Sequence, residues 1–275
     1  MISPHRIRYN NIFSNELNMP DLIMCVALDS DNGEVGTYLN REAVASESHD
    51  GRYKRIHSFK YTETFAPKFT FIKSNFGNFE MDEVRTVLKW LTSKDTTAIL
   101  ETYYDDSNVV SWASIGGFVD LQTHKLANNR TIAITATWDS ISPFALSDLY
   151  TVTKTITSED NKITINIETD DNKPVYPCVT IETNGNDIKF INTHTDFFNV
   201  SNSYNSLELI NNASTETVTV DGVNQIIKTS LTRRIFGDDF NGVWLELYDG
   251  KNEITVDGNC TVTLKWREPR KIGEY

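Results

Sequence analysis

The chain has 275 residues and a formal net charge of −12, with 38 acidic and 26 basic side chains. This acidity argues against nonspecific binding to nucleic acid, which needs lysine and arginine clustered toward phosphates. The opening sequence lacks the pattern of a signal peptide, and no segment approaches the roughly 20 apolar residues of a membrane helix. We therefore expect a protein of two domains that is assembled in a cytoplasm and binds neither nucleic acid nor membrane.

Two strands are predicted near the N-terminus, at Arg6–Tyr9 and Leu22–Leu28. The residues that follow, from Gly36 to Arg55, are polar, charged and without periodicity. Because such a segment cannot contribute to a hydrophobic core, we expect it to project as a long hairpin or loop. It is therefore a candidate contact for another subunit.

Aromatic residues alternate with polar ones in the next stretch, from Phe59 to Phe71. A period of two with aromatics on one side predicts a half-buried strand, and Pro67 predicts that this strand is bent or broken. We therefore expect Phe59 and the aromatic residues that alternate after it to face a core.

One amphipathic helix is predicted, at Met81–Leu91. Its apolar residues recur at helical spacing and line one face; they are Met81, Val84, Val87, Leu88 and Leu91. Asp82 and Glu83 lie in the first turn and Lys89 lies near the end, as the helix dipole favours, and Asn78 is the expected N-cap. The pattern predicts a helix with one face packed on strands.

Strands of an antiparallel meander follow the helix, and from about Tyr150 the predicted strands become short and rich in threonine and isoleucine. Asn-Gly and Asp-Gly turn signals separate many of these short strands. Many short strands with tight turns are typical of a β-sandwich. We therefore expect a mainly β protein with two β-sandwich-type domains, residues 1–148 and residues 149–275, the first of which carries one α-helix and an extended hairpin.

No catalytic pattern stands out in the sequence. Cys25, Cys178 and Cys260 are far apart and form no Cys-x-x-Cys motif, so neither a zinc site nor a disulfide framework is indicated. No serine or cysteine lies in a nucleophile motif, and the acidic pairs fall at predicted turns, where aspartate is common for backbone reasons. We therefore expect no cofactor, no metal and no enzymatic activity. A cell-wall hydrolase stays open as the last of three alternative functions.

Sugar binding is the second alternative, because aromatic side chains on a β-sandwich can stack on sugar rings. The aromatic residues of the second domain that could do so include Trp244 and Tyr248, the candidate glycan contacts. Trp244 also lies in the predicted strand Val243–Leu247, where a buried core position is the more ordinary outcome. A carbohydrate-binding adhesion module for host cell-wall glycans therefore stays open as a function.

The order of features along most of the chain resembles the distal tail protein (Dit) family of phages with long, non-contractile tails. The features are Asp50-Gly51-Arg52, Val87-Leu88-Lys89-Trp90-Leu91, Tyr103-Tyr104, Trp112-Ala113, Trp138, Ser142-Pro143-Phe144, Pro177-Cys178-Val179-Thr180-Ile181, Asn186-Asp187-Ile188, the segment from Gly250 to Gly258 and Thr261–Arg267. The resemblance implies a structural component of the tail tip or baseplate of the virion, assembled in the host cytoplasm.

The resemblance also implies an architecture and a set of partners. The first domain, with a belt hairpin at about residues 36–58 and a helix at about residues 79–94, would form a hexameric ring around the tail lumen. The second would have a galectin-like or carbohydrate-binding-module-like fold. The ring would join the tail tube protein to the tail-associated lysin or tip protein and, in some phages, dock receptor-binding proteins. The candidate subunit contacts are Arg52 and Arg55 in the belt and Arg85 and Lys89 on the helix.

Overall fold

The computed structural model describes residues 6–17, 19, 22–27, 41–47, 53–103, 109–127, 129–195, 201–203 and 206–271. These residues form antiparallel β-sheets and one α-helix, which confirms the predicted mainly β class. Contacts divide the chain into two compact units, Met1–Asp148 with Arg270–Tyr275, and Leu149–Pro269. The predicted second domain ran to Tyr275, whereas Arg270 is grouped with the first unit.

The strands of the first unit are β1 (Arg6–Tyr9), β2 (Ile12–Phe13), β3 (Leu22–Ala27), β4 (Arg41–Glu47), β5 (Lys54–Tyr61), β6 (Lys68–Lys73), β7 (Ala98–Tyr103), β8 (Trp112–Lys125), β9 (Thr131–Ser140) and β10 (Ala145–Leu146). A nine-stranded sheet has the order β2-β1-β7-β8-β9-β6-β3, and β10 pairs with β8 and with the short β21 (Pro269–Arg270). Strands β4 and β5 form a separate two-stranded sheet.

This nine-stranded sheet curls strongly around its own core. Three strand steps separate β1 from β9, which is about 14 Å in a flat sheet. The rings of Tyr9 on β1 and Trp138 on β9 nevertheless have centroids only 5.8 Å apart, and Phe118 on β8 contacts both rings. The curled sheet therefore brings aromatic residues of distant strands into one core.

Helix α1 (Met81–Leu91) packs on this core with the face that carries Val87, Trp90 and Leu91. The indole N–H of Trp90 donates a hydrogen bond to the carbonyl of Tyr9 at 3.2 Å. The prediction that Met81 belongs to the buried face is wrong, since its side chain is 86% exposed. Met81 lies in the first turn, before the stretch of helix that the core residues cover.

The start of the helix also differs from the prediction. Its N-cap is Glu80 rather than Asn78, and the backbone N–H of Glu80 donates to the Glu83 carboxylate at 2.7 Å. Glu83 also accepts from Lys73 on β6, with 2.7 Å between Lys73 Nζ and Glu83 Oε1. A glutamate at the third helical position can satisfy the N-cap amide by reaching back to it, so a cap residue with a short side chain is not needed.

The second unit is a β-sandwich. Its strands are β11 (Tyr150–Ile156), β12 (Lys162–Ile167), β13 (Cys178–Thr183), β14 (Ile188–Thr195), β15 (Ser201–Ser203), β16 (Leu207–Leu209), β17 (Thr217–Asp221), β18 (Ile226–Thr229), β19 (Gly250–Asp257) and β20 (Cys260–Trp266). One five-stranded sheet has the order β11-β20-β13-β17-β18, and the other is β12-β19-β14-β15 with β16 added on β14. Alternate residues of both sheets share one core, for example Ile163 and Ile165 of β12 with Val262 and Leu264 of β20.

Candidate functional site

Strands β4 and β5, which we call the ribbon, expose apolar side chains to an unusual degree. Among the residues that the structure describes, these two strands form ladder pairs only with each other. Phe59 is 57% exposed, Ile56 is 51% exposed and Val44 is 41% exposed. The prediction that Phe59 faces a core is therefore wrong, because Phe59 belongs to the ribbon and not to the sheet. An isolated two-stranded ribbon is only marginally stable in water.

The ribbon has one mostly apolar face and one mostly polar face. Ala43 pairs with Phe59 and Ala45 pairs with Ile56, and a bulge lies between these pairs. Because side chains alternate along each strand and a bulge adds one residue on one strand, these four residues point to the same side. We call them the apolar face. The opposite face carries the pairs Glu42 with Lys60, Val44 with Ser58 and Ser46 with Arg55.

At its base the ribbon is attached to the first unit through Tyr61, at the end of β5. The ring of Tyr61 contacts that of Phe144 edge-on, with centroids 4.9 Å apart. Tyr61 pairs with Arg41, whose guanidinium lies 5.4 Å from the centroid of the Phe59 ring. Tyr61 points to the same side as the apolar face, so that face extends outward from a half-buried base.

The ribbon is basic in an acidic protein. Its two strands carry four basic and two acidic side chains, a net charge of +2; they are Arg41, Lys54, Arg55, Lys60, Glu42 and Glu47. The whole chain carries −12, so the other residues together carry −14. Opposite potentials favour association and set its register. The positive charge of the ribbon therefore complements an acidic surface.

A cleft in the second unit is a separate candidate site. It has a volume of about 230 Å³ and is lined by Tyr176, Gly242, Val243, Trp244 and Glu246. The predicted strand Val243–Leu247 is not formed; this segment makes an isolated bridge, between Leu247 and Val175. Trp244 is half-buried, packs against the sandwich core and still lines the cleft.

The carboxylate of Glu246 is held by two tyrosine hydroxyls. Tyr176 donates to Glu246 Oε1 at 2.9 Å, and Tyr248 donates to Oε2 at 2.5 Å. Burial, followed by the hydrogen bond to Glu246, raises the pKa of Tyr176, so this hydroxyl stays a donor at neutral pH. Glu246 and Tyr176 are site residues that the sequence alone did not indicate, because 70 residues separate them along the chain.

Two family models match consecutive parts of the chain. Residues 6–140 match the model of a phage tail protein N-terminal domain, and residues 144–266 match the model of a phage tail C-terminal domain. The chain belongs to this phage tail protein family. No curated protein matches the tail protein.

Solved structures of a phage adsorption hub protein and of a phage baseplate have a similar fold. The tail protein superposes on the SPP1 Dit (gp 19.1) protein, described as a hub of the adsorption apparatus, with a TM-score of 0.61 and 12% identity over 95% of this chain and 98% of that one. A chain of the phage P2 baseplate in its activated conformation with Ca matches with a TM-score of 0.53 and 9% identity, over 99% and 100% of the two chains. The same baseplate with Sr gives 0.54 and 11%, over 99% and 100%. The predicted resemblance to Dit is confirmed.

The candidate contact residues of the tail protein lie on different elements. Arg55 is exposed on the polar face of the ribbon, and Arg52 lies outside the described residues. Arg85 and Lys89 are exposed on α1, one helical turn apart, so they are neighbours on one face of the helix. Trp244 lines the cleft, whereas Tyr248 contributes by orienting Glu246.

The described residues of the tail protein offer little for other chemistry. None of their histidine, cysteine, aspartate and glutamate side chains are grouped so that they could hold a metal ion. Burial raises the pKa of Cys260 to about 11, which keeps its thiol protonated and unreactive. Helix α1, the α-helix of the described ranges, is too short and too polar to cross a membrane.

Proposed function

We propose that the tail protein forms a hexameric ring and that the ribbon of each subunit binds its neighbour. The exposed apolar face of the ribbon is the observation that carries this proposal. Burying a side chain such as that of Phe59 or Ile56 contributes about 2 kcal/mol each relative to leaving it in water. A neighbouring subunit that covers this face therefore stabilises the ribbon and the assembly together.

The charge of the ribbon favours another copy of the same chain as its partner. Each ribbon carries +2, and the remainder of each subunit carries −14. Contact between the ribbon of one subunit and a different surface of the next is a head-to-tail interface, which is the kind that closes a ring under cyclic symmetry. Arg55 on the ribbon, with Arg85 and Lys89 on the helix, would supply charged contacts at the rim of this interface.

The family and the fold support a place for this ring in the virion tail. Phage tail proteins with a Dit-like fold include a hub and a baseplate component. We infer that the ring is a structural part of the tail tip, assembled in the host cytoplasm. It would join the tail tube protein on one side to the tail-associated lysin or tip protein on the other, and could dock receptor-binding proteins.

Light scattering of the purified protein tests this function. The mass is measured over a series of concentrations, alone and with the tail tube or tip protein added. We expect the mass of a hexamer, reached alone or with a partner. A protein that stays monomeric with every partner and is absent from purified virions would contradict the proposed function.

A further inference from the structure

The cleft beside Trp244 combines an aromatic surface with an oriented carboxylate. The indole ring of Trp244 packs edge-on against Phe240, with ring centroids 5.1 Å apart, and against the sandwich core. The half-buried Trp244 is one of the residues that wall the cleft, and Glu246 is another. Such a wall can cover the apolar C–H face of a sugar ring while a neighbouring polar group binds its hydroxyls.

Glu246 is arranged to accept further hydrogen bonds. A carboxylate has about four acceptor positions, and the tyrosine hydroxyls of Tyr176 and Tyr248 occupy one on each oxygen. The remaining position on each oxygen can accept from one of two adjacent hydroxyl groups of a ligand. Hydrogen bonds to an ionised carboxylate are about twice as strong as those between neutral groups.

A buried amide network holds this segment in place without a strand ladder. Asn192 donates to the backbone carbonyl of Glu246 at 2.7 Å and to the side chain of Asn252 at 2.9 Å. The Asn252 side chain accepts from the backbone N–H of Tyr248 at 2.9 Å and donates to its carbonyl at 2.6 Å. The backbone that carries Glu246 is therefore fixed before any ligand arrives, which favours binding.

We propose that this cleft binds a single neutral pyranose sugar, with its apolar face on Trp244 and two hydroxyls on Glu246. Within the described part of the chain, none of the five residues that line the cleft is basic, so a sugar with a phosphate or carboxylate would meet Glu246 without a counter-charge. A volume of about 230 Å³ suits one ring rather than a long oligosaccharide. This inference is independent of ring formation, which rests on the ribbon.

A quaternary ammonium group is the competing ligand, since aromatic rings and a carboxylate also attract cations. Cation sites of that kind surround the charge with several rings, whereas the described residues that line this cleft include two aromatic ones, Tyr176 and Trp244. The tyrosine hydroxyls also fix the Glu246 lone pairs in direction, and direction matters for hydroxyl donors but not for a round cation. The sugar therefore fits the observed arrangement better.

Saturation-transfer NMR and calorimetry on the full chain test the proposal. The probes are the methyl glycosides of glucose, galactose, mannose and N-acetylglucosamine, with methyl glucuronide as the anionic counterpart and tetramethylammonium as the cation. We expect millimolar binding of at least one neutral glycoside and no binding of the glucuronide. If no neutral glycoside binds the wild type, or if tetramethylammonium alone binds, the proposal is overturned.

Matched variants locate the binding. Glu246→Gln and Trp244→Leu are compared with Glu182→Gln, which changes an exposed glutamate on β13 of the same unit. We expect each cleft variant to lose affinity by roughly tenfold or more, as removal of a charge-assisted hydrogen bond or a stacking surface predicts. The control should bind as the wild type does, and thermal melting checks that all variants fold. Unchanged affinity in both folded cleft variants would overturn the assignment.

Discussion

The indole N–H of Trp90 donates a hydrogen bond to the backbone carbonyl of Tyr9 at 3.2 Å, and the two rings meet edge-on with centroids 6.2 Å apart. The bond joins the helix to β1 across 81 residues of sequence. The bond lies next to the place where the rings of Tyr9, Phe118 and Trp138 meet on the curled sheet. The helix is therefore part of the core of the first unit and not an addition to its surface.

Replacing Trp90 by Phe should destabilise the first unit. The variant loses the hydrogen bond to Tyr9 and leaves a space in a closely packed core, so we expect the free energy of unfolding to fall by about 1–3 kcal/mol. Urea unfolding measures the change. Met81→Ala is the control, because Met81 is 86% exposed and its change should stay within about 0.5 kcal/mol. Equal effects of the two variants would show that Trp90 is not a core residue.

Gly116 and Gly117 form a matched pair in the middle of β8. A Cβ atom at Gly116 would lie 2.1 Å from the carbonyl oxygen of Asp139 on β9, whereas a Cβ at Gly117 would meet nothing within 4 Å. We therefore expect Gly116→Ala to destabilise the first unit by about 2 kcal/mol or more, since the backbone of β8 must shift away from β9. Gly117→Ala should be nearly neutral in the same denaturation experiment, and the reverse order would contradict the described register.

The pair of Lys73 and Glu83 should make stability depend on pH. Burial alone would raise the pKa of Glu83, but hydrogen bonds from Lys73 and from the Glu80 backbone, with the charge of Lys73, together lower it. A folded-state pKa below that of the unfolded chain contributes stability at neutral pH, which is lost as the pH falls through the folded pKa. The contribution should stay below about 1 kcal/mol, since the pair is partly exposed.

Glu83→Gln tests this contribution. Free energies of unfolding of the wild type and the variant are compared between neutral and strongly acidic pH. The variant should be less stable at neutral pH, and the difference should shrink as the wild-type carboxylate becomes protonated. A difference that is constant over the whole pH range would mean that the ion pair does not stabilise the fold.

The two faces of the ribbon should respond differently to charge. Phe59→Glu places a carboxylate on the apolar face, so we expect it to prevent association of subunits, because burial of an unpaired charge costs several kcal/mol. Ser58→Glu places the same group at the neighbouring position, which lies on the polar face of the ribbon. This variant should leave assembly intact. Sedimentation velocity measures the oligomeric state of both, and assembly of Phe59→Glu with unchanged mass would show that the apolar face is not an interface.

The helix shows what periodicity can predict. Its bounds, Met81–Leu91, are those expected from the spacing of apolar residues. The sequence missed Trp90 as a core residue and wrongly included Met81, because spacing defines a helical face but not where the underlying sheet ends. The position of that edge depends on the curl of the sheet, which is set by contacts such as Tyr9 with Trp138 that are distant in sequence.

The ribbon and the cleft show two further limits. Alternating aromatics predicted a strand at Phe59, but periodicity does not show whether the apolar side of that strand packs on the rest of the chain, and here Phe59 is exposed. At Trp244 the alternation predicted a strand, but the backbone there bonds to the buried side chains of Asn192 and Asn252 instead of to a ladder. The exposure of Phe59 and the missing strand at Trp244 depend on contacts with residues that are remote in sequence. The local pattern therefore does not encode them.

Electron microscopy of the purified protein tests the central proposal most directly. We expect closed hexameric rings with one lobe per subunit in negative stain, formed by the wild type alone or with the tail tube or tip protein. Ser58→Glu should give the same rings, and Phe59→Glu should give single particles. Isolated monomers of the wild type at every concentration and with every partner would contradict the ring.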